Sequence, residues 1–216
     1  MMKKLERIFL FLLLTAAFLF ILEKSVFRFF YSPSELSEPY NRKKHFGSWK
    51  DLDGDGMNSR HNVLFDSSIA ENTEVTLKSG KKFVGEGLWI DYLGDNVLYH
   101  SRNATIDHLI SLKEAWLSGA CHWNAEKRQL FFNSPTKGQL VVTSSAINQS
   151  KSSYDVSKWL PHNPNQTEDF LYNWIAIKKH WELSVDPEEW KTLESFLGEK
   201  PLKSISIAYG NSLGCQ

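Results

Sequence analysis

The chain is poor in cysteine and has no surplus of either charge. Cys121 and Cys215 are the only two thiols among 216 residues. Apart from His122, neither has a cysteine or histidine nearby at ligand spacing, which argues against a structural zinc site of the usual kind. Two thiols are enough for one bridge in an exported protein, and the sequence leaves open whether they pair. Lys+Arg and Asp+Glu both number 25, so no overall basic charge points to a protein that grips long stretches of nucleic acid. An enzyme that clamps one phosphate is not excluded, because a small site needs only a few local cations. Internal repeats and low-complexity tracts are absent too. What the chain does have is 42% hydrophobic residues and eight tryptophans, a composition that builds a packed core. Its length suits one domain with extensions.

The first residues stand apart. Lys3, Lys4 and Arg7 precede an uncharged run from Ile8 to Leu22, closed by Glu23 and Lys24. A basic start followed by a short apolar stretch is the pattern of a secretory signal, and the run is short for a membrane helix of about 20 residues. No small-x-small cleavage site follows it, so residues 1–31 read as a signal peptide or an uncleaved signal anchor. The expected location is extracytoplasmic: secreted, periplasmic or tethered by an N-terminal hydrophobic helix, with the membrane as partner if the segment is retained. Residues 32–45, with Pro33 and Pro39, read as a linker. Residues 46–197 form the expected globular domain and 198–216 a C-terminal tail.

Within the domain, Val75-Thr76-Leu77, Ser79-Gly80 and Lys82 to Trp89 alternate around a turn as a β-hairpin does. A short strand is expected over 106–110 and an apolar strand over 140–143. Helices are expected from Leu112 to about Gly119, from an Asn124 cap to Phe132, over 144–151, 171–181 and 187–197, the last with proline at its start. Short strands scattered among short helices predict an α+β fold rather than a wound parallel sheet. Trp116, Trp123, Trp159, Trp174 and Trp181 are expected in its core.

The chemistry concentrates at Asp107-His108. Adjacent residues of a strand point to opposite faces, so both line one site only with local twist or a bulge. Phosphodiester hydrolysis needs a base to activate water and a cation to neutralise the phosphoryl oxygens. An imidazole can supply the first at neutral pH, and a carboxylate oxygen suits a hard cation. Downstream, Asn148-Gln149-Ser150-Lys151 adds a neutral oxygen and a cation at helical spacing.

The run Asp107-His108, Leu112, Ala115-Trp116, Ser118-Gly119-Ala120 and Trp123 continues through Lys127-Arg128, Phe132-Asn133, Gln139-Leu140, Asn148, Ser150-Lys151, Trp159-Leu160-Pro161 and Trp174 with Lys178. Upstream stand Phe46-Gly47, Trp49, Asp51, Asp53-Gly54-Asp55, Arg60 and Leu64, then Gly87, Trp89, Asp91-Tyr92 and Gly94. In order and spacing this resembles the HNH endonuclease family of small exported nucleases, and its core is similar to the C-terminal domain of modification-dependent restriction endonucleases. The resemblance implies a ββα-metal finger with an N-terminal β-hairpin region and C-terminal helices. It implies His108 as general base, and Asp107 and Asn148 as ligands of one divalent cation, Mg²⁺ first, with Mn²⁺, Ca²⁺ and Zn²⁺ as the other candidates. Gln139 takes the middle position of the HNH trio and is expected to orient the base. Arg60 and Lys151 are the candidate phosphate contacts. The expected function is therefore metal-dependent cleavage of DNA or RNA, with nucleic acid as partner and no sign of a protein partner. The alternative is a catalytically inactive nucleic-acid-binding or envelope-associated module on the same fold.

The chain departs from the family where Ser152-Ser153 stand in place of Gly-Asp. Asp51, Asp53 and Asp55 with Gly56 imitate a calcium loop, but Asn62 stands where such loops need a bidentate Glu, so a structural turn is expected there. Arg60 could equally pair with one of these aspartates; for Asn148 a helix cap is the lesser alternative to metal ligation.

Overall fold

The computed structural model describes residues 38–198 and Cys215. The expected signal or anchor segment lies outside the described residues. Among the described residues no helix is long and apolar enough to cross a membrane.

The architecture is α+β. Helices α1 (Arg42–Phe46) and α2 (Ser59–Asp66) precede five short strands, β1 (Val75–Lys78), β2 (Lys81–Val84), β3 (Glu86–Ile90), β4 (Val97–His100) and β5 (Ala104–His108). Then come α3 (Leu112–Leu117), α4 (Ala125–Asn133), β6 (Leu140–Ser144), α5 (Ser145–Lys151), α6 (Pro164–Trp181) and α7 (Pro187–Leu197). The strands form three antiparallel pairs, β1 with β2, β3 with β4 and β5 with β6.

Two expectations are corrected. The stretch 82–89 is not one strand: β2 ends at Val84, and Gly85 donates its N–H to the Glu74 carbonyl at 2.9 Å, where the chain leaves the first hairpin. From Glu86 it pairs with β4 instead. The expected linker 32–45 is partly helix, because Asn41 Oδ1 accepts the Lys44 N–H at 2.9 Å and starts α1 four residues early. Gly47 ends α1 at φ +74°, and a Cβ there would collide with the Gln129 amide. That turn sends Trp49 back toward β5.

Asn124 caps α4 as expected, accepting the Lys127 N–H at 2.8 Å, and Ser111 caps α3 by accepting the Glu114 N–H at 3.1 Å. Asp186 and Glu189 form a reciprocal capping box at the start of α7. α6 begins with Pro164 at its first turn, seven residues before the expected Leu171.

Burial separates two apolar clusters. The larger joins α3, α4, α6 and α7 around Trp116, Trp123, Phe131, Trp174 and Leu193; the smaller joins α2 to the strands around Leu64, Trp89, Ile106 and Val142. Trp49 packs against both. Trp116, Trp123, Trp174 and Trp181 are core residues as expected, whereas Trp159 is half-buried. Cys121 is bonded to Cys215, so the end of the tail is fastened to the larger cluster.

Inside that cluster Lys178 is fully buried between two carboxylates. Its Nζ lies 2.7 Å from Glu114 Oε1 and 2.5 Å from Glu189 Oε1, and donates to the Ser184 carbonyl at 2.9 Å. The Trp174 indole donates to Glu189 at 2.9 Å. These bonds lock α3, α6 and α7 together and satisfy the buried ammonium of the lysine.

Candidate functional site

The site is built where β5 ends. Ala104 to His108 pairs with Ser144 to Leu140 in unbroken register, so no bulge turns Asp107 and His108 to one side. The strand stops at His108, and both residues border the same cavity of about 330 Å³. Immediately after β6 the chain turns into α5, which packs on both strands. Ser144 caps α5 by accepting the Ile147 N–H at 3.4 Å. Asn148 lies within that helix and lines the cavity. It is therefore not a helix cap.

His108 is buried in an aromatic slot. Trp49 stacks on its ring at 5.4 Å with an interplanar angle of 16°, and Phe132 sits tilted at 4.8 Å. Its Nε2 lies 2.8 Å from the Phe132 carbonyl oxygen. A carbonyl can only accept, so Nε2 carries the proton and Nδ1 keeps the lone pair. Burial drives the imidazole pKa from 6.5 down to about 3, against the Phe132 carbonyl, which raises it. The ring is accordingly neutral at physiological pH.

Asp107 is buried beside Lys151, whose Nζ lies 2.8 Å from Oδ2 and 2.9 Å from the His108 carbonyl oxygen. Burial raises the Asp107 pKa, and the Lys151 charge opposes that rise. Beyond this ion contact Oδ2 has no hydrogen-bond partner among the described residues. Asp107 and Asn148 both line the cavity, and carboxylate and amide oxygens are the donor types a hard divalent cation takes.

Three sequence expectations are corrected. Lys151 is fully buried in its pair with Asp107 and presents nothing to a phosphate. Arg60 donates through Nη2 to the carbonyls of Ser101 and Ala104, at 2.9 and 3.2 Å, and so is committed to the β4–β5 turn. Gln139 makes no hydrogen bond to the imidazole among the described residues. Its amide exchanges two hydrogen bonds with the Ile110 backbone, at 3.0 and 3.2 Å, and it braces the chain just after His108. In each case a polar side chain has been drawn inward to satisfy backbone groups that the fold buries.

Tyr40 and Arg42 line the cavity and were missed. Both lie in the stretch that the prolines marked as linker; the Asn41 cap preceding Arg42 was the available signal. Trp49 was noted only as part of a motif, and nothing in the sequence reveals that it stacks on His108.

The other ligand-like clusters carry less. Asp51, Asp53 and Asp55 bring carboxylate oxygens within 4.8 Å of one another. Asp51 accepts the N–H groups of Gly54 and Gly56 at 2.8 and 3.0 Å, and Asp55 that of Met57 at 2.6 Å. These are the bonds of the expected structural turn. Cys121, His122 and Cys215 also cluster, but both sulfurs belong to the disulfide.

Comparison with known proteins adds a relative without a known activity. An uncharacterized secreted protein of Arthroderma benhamiae is 28% identical over 165 residues, covering 76% of this chain and 78% of its own length. No protein-family model matches the chain, and no solved structure matches it.

Proposed function

We propose that the chain is an exported, metal-dependent nuclease of the HNH type. The observation that carries this reading is the convergence of Asp107, His108 and Asn148 on one cavity, with the imidazole held neutral and its proton fixed on Nε2. The succession of β5, its antiparallel partner β6 and then α5 supports a ββα-metal finger, and the A. benhamiae relative supports export.

Asp107 and Asn148 would hold one divalent cation, which supplies Lewis-acid stabilisation of the phosphoryl oxygens when bound. His108 accepts a proton from the attacking water at Nδ1. The Phe132 carbonyl holds Nε2–H, so the ring cannot turn that lone pair away. The water oxygen bonds to phosphorus, the ester P–O bond breaks, and the departing oxygen takes a proton from solvent. A base with its pKa near 3 is always in its accepting form but is weak. An anionic phosphate in the cavity favours imidazolium, against the charges of Arg42 and Lys151. Asp107 is kept in place by Lys151, and Gln139 fixes the backbone after His108.

A supercoiled plasmid and a single-stranded RNA incubated with the full chain and Mg²⁺ test this. Cleavage should vanish with EDTA and fall by about 10²–10⁴-fold in His108→Ala, the contribution of a positioned base. No cleavage of either substrate by the parent, with Mg²⁺ or Mn²⁺ present, would leave a binding module in place of an enzyme.

A further inference from the structure

We infer that Arg42, at the cavity rim, grips the substrate phosphate and is a substrate-contacting catalytic residue. This rests on the nuclease reading of the same site. A nuclease needs a cation for the phosphate besides any metal, and the two that the sequence nominated are spent: Lys151 on Asp107, Arg60 on the β4–β5 turn. Arg42 is at the first position of α1, lines the cavity together with the end of β5, and its side chain is exposed. Among the described residues no carboxylate pairs with it.

A cation–π contact ties it to the ring that packs on the base. The guanidinium carbon lies 5.7 Å from the centroid of the Phe132 ring, and that ring lies 4.8 Å from the His108 ring. Imidazole and guanidinium therefore share one aromatic support, and the Arg42 charge is felt at both Asp107 and His108. A guanidinium offers a rigid fork that matches two non-bridging phosphate oxygens. Charge grows on those oxygens as water attacks, so a cation fixed there stabilises the transition state more than the ground state. Lys113 also borders the cavity and is exposed, but its single ammonium lacks the fork and it stacks on no aromatic ring among the described residues.

The test uses the full chain and a fluorescently labelled oligonucleotide. Arg42→Ala should lower kcat/KM by about 10²–10³-fold, the usual loss for one such donor, and Arg42→Lys should recover only part of it. Binding is measured by anisotropy in the His108→Ala background, with and without Arg42→Ala. The slope of log affinity against log salt should flatten by about 0.7–0.9, one phosphate contact. Parental turnover and an unchanged slope in Arg42→Ala would overturn the inference while leaving the nuclease reading intact. Lost turnover with an unchanged slope and a lowered melting temperature would also overturn it, by giving Arg42 a structural role. An inert parent whose oligonucleotide binding still loses that slope on Arg42→Ala would do the reverse, removing hydrolysis and keeping the phosphate grip.

Discussion

The ammonium of Lys151 lies 2.8 Å from Asp107 Oδ2 and closes the last turn of α5 onto the end of β5. Both groups are buried, so the pair cannot be opened from one side cheaply. Removing the lysine leaves the buried carboxylate without its cation, which costs up to about 3–5 kcal/mol. Lys151→Met should lower the unfolding free energy by that order in a denaturant titration, and adding Asp107→Leu should recover most of it. Parental stability with lost turnover in Lys151→Met would return the lysine to the phosphate.

Asn148 is expected to behave in the opposite way. It stands inside α5 and the cap is Ser144, so Asn148→Ala removes no capping bond. Its stability should stay within about 0.5 kcal/mol of the parent, the range of substitutions away from structural features. Calorimetric titration with Mn²⁺ should show weaker binding than in the parent. Unchanged affinity would remove Asn148 from the ligand set.

Why was Asp107-His108 legible when its neighbours were not? Local rules, such as caps, periodicity and motif spacing, located β5, α3, α4, α5 and α7 within a few residues, because those signals act over one turn or one strand. The roles of Lys151, Arg60 and Gln139 depend on which carbonyls and carboxylates the finished fold buries beside them, and no window of sequence contains that. β4 was invisible for a related reason: its partner is β3, and the sequence had assigned β3 to the preceding hairpin. Arg42 and Tyr40 were hidden by Pro33 and Pro39, whose effect on the backbone ends before Asn41 opens a helix.

The bridge between Cys121 and Cys215 spans 94 residues of sequence. Closing a loop of that size removes unfolded-state entropy worth about 4–5 kcal/mol in the chain-entropy account, with about 2–5 kcal/mol the usual measured loss. A Cys121→Ala/Cys215→Ala double variant should therefore unfold at distinctly lower denaturant. Turnover under native conditions should survive, since neither residue borders the cavity. A parent whose stability is insensitive to reductant would show that the bridge does not form in solution.

Two buried groups drive stability in opposite directions with pH. The His108 pKa falls from 6.5 to about 3 through burial. Between those values the unfolded chain holds a proton there that the folded chain lacks. Its contribution is complete above pH 6.5 and is lost as pH falls toward 3. The Glu189 pKa rises from 4.5 to about 7, first through burial and then through the Glu114 charge, with Lys178 opposing both. Here the folded chain holds the extra proton, so the contribution is complete below pH 4.5 and is lost as pH rises through about 7. Each slope is about 1.4 kcal/mol per pH unit where one proton separates the two states. They cancel between pH 4.5 and 6.5, leave an acid fall below that window, and leave a smaller alkaline fall just above it. Melting temperatures taken in EDTA buffers from pH 3 to 8 should trace that plateau. Glu189→Gln keeps the shape of the side chain but cannot titrate; its amide nitrogen gives up the bonds one oxygen accepts, an offset that does not vary with pH. Relative to the parent, the variant should gain as pH rises from 4.5 to 7, while the acid fall, to which His108 and the lowered carboxyls of Asp91 and Asp155 contribute, stays in place. A parallel pair of curves over that range would show that Glu189 is already ionised in the folded protein and that Lys178 outweighs burial.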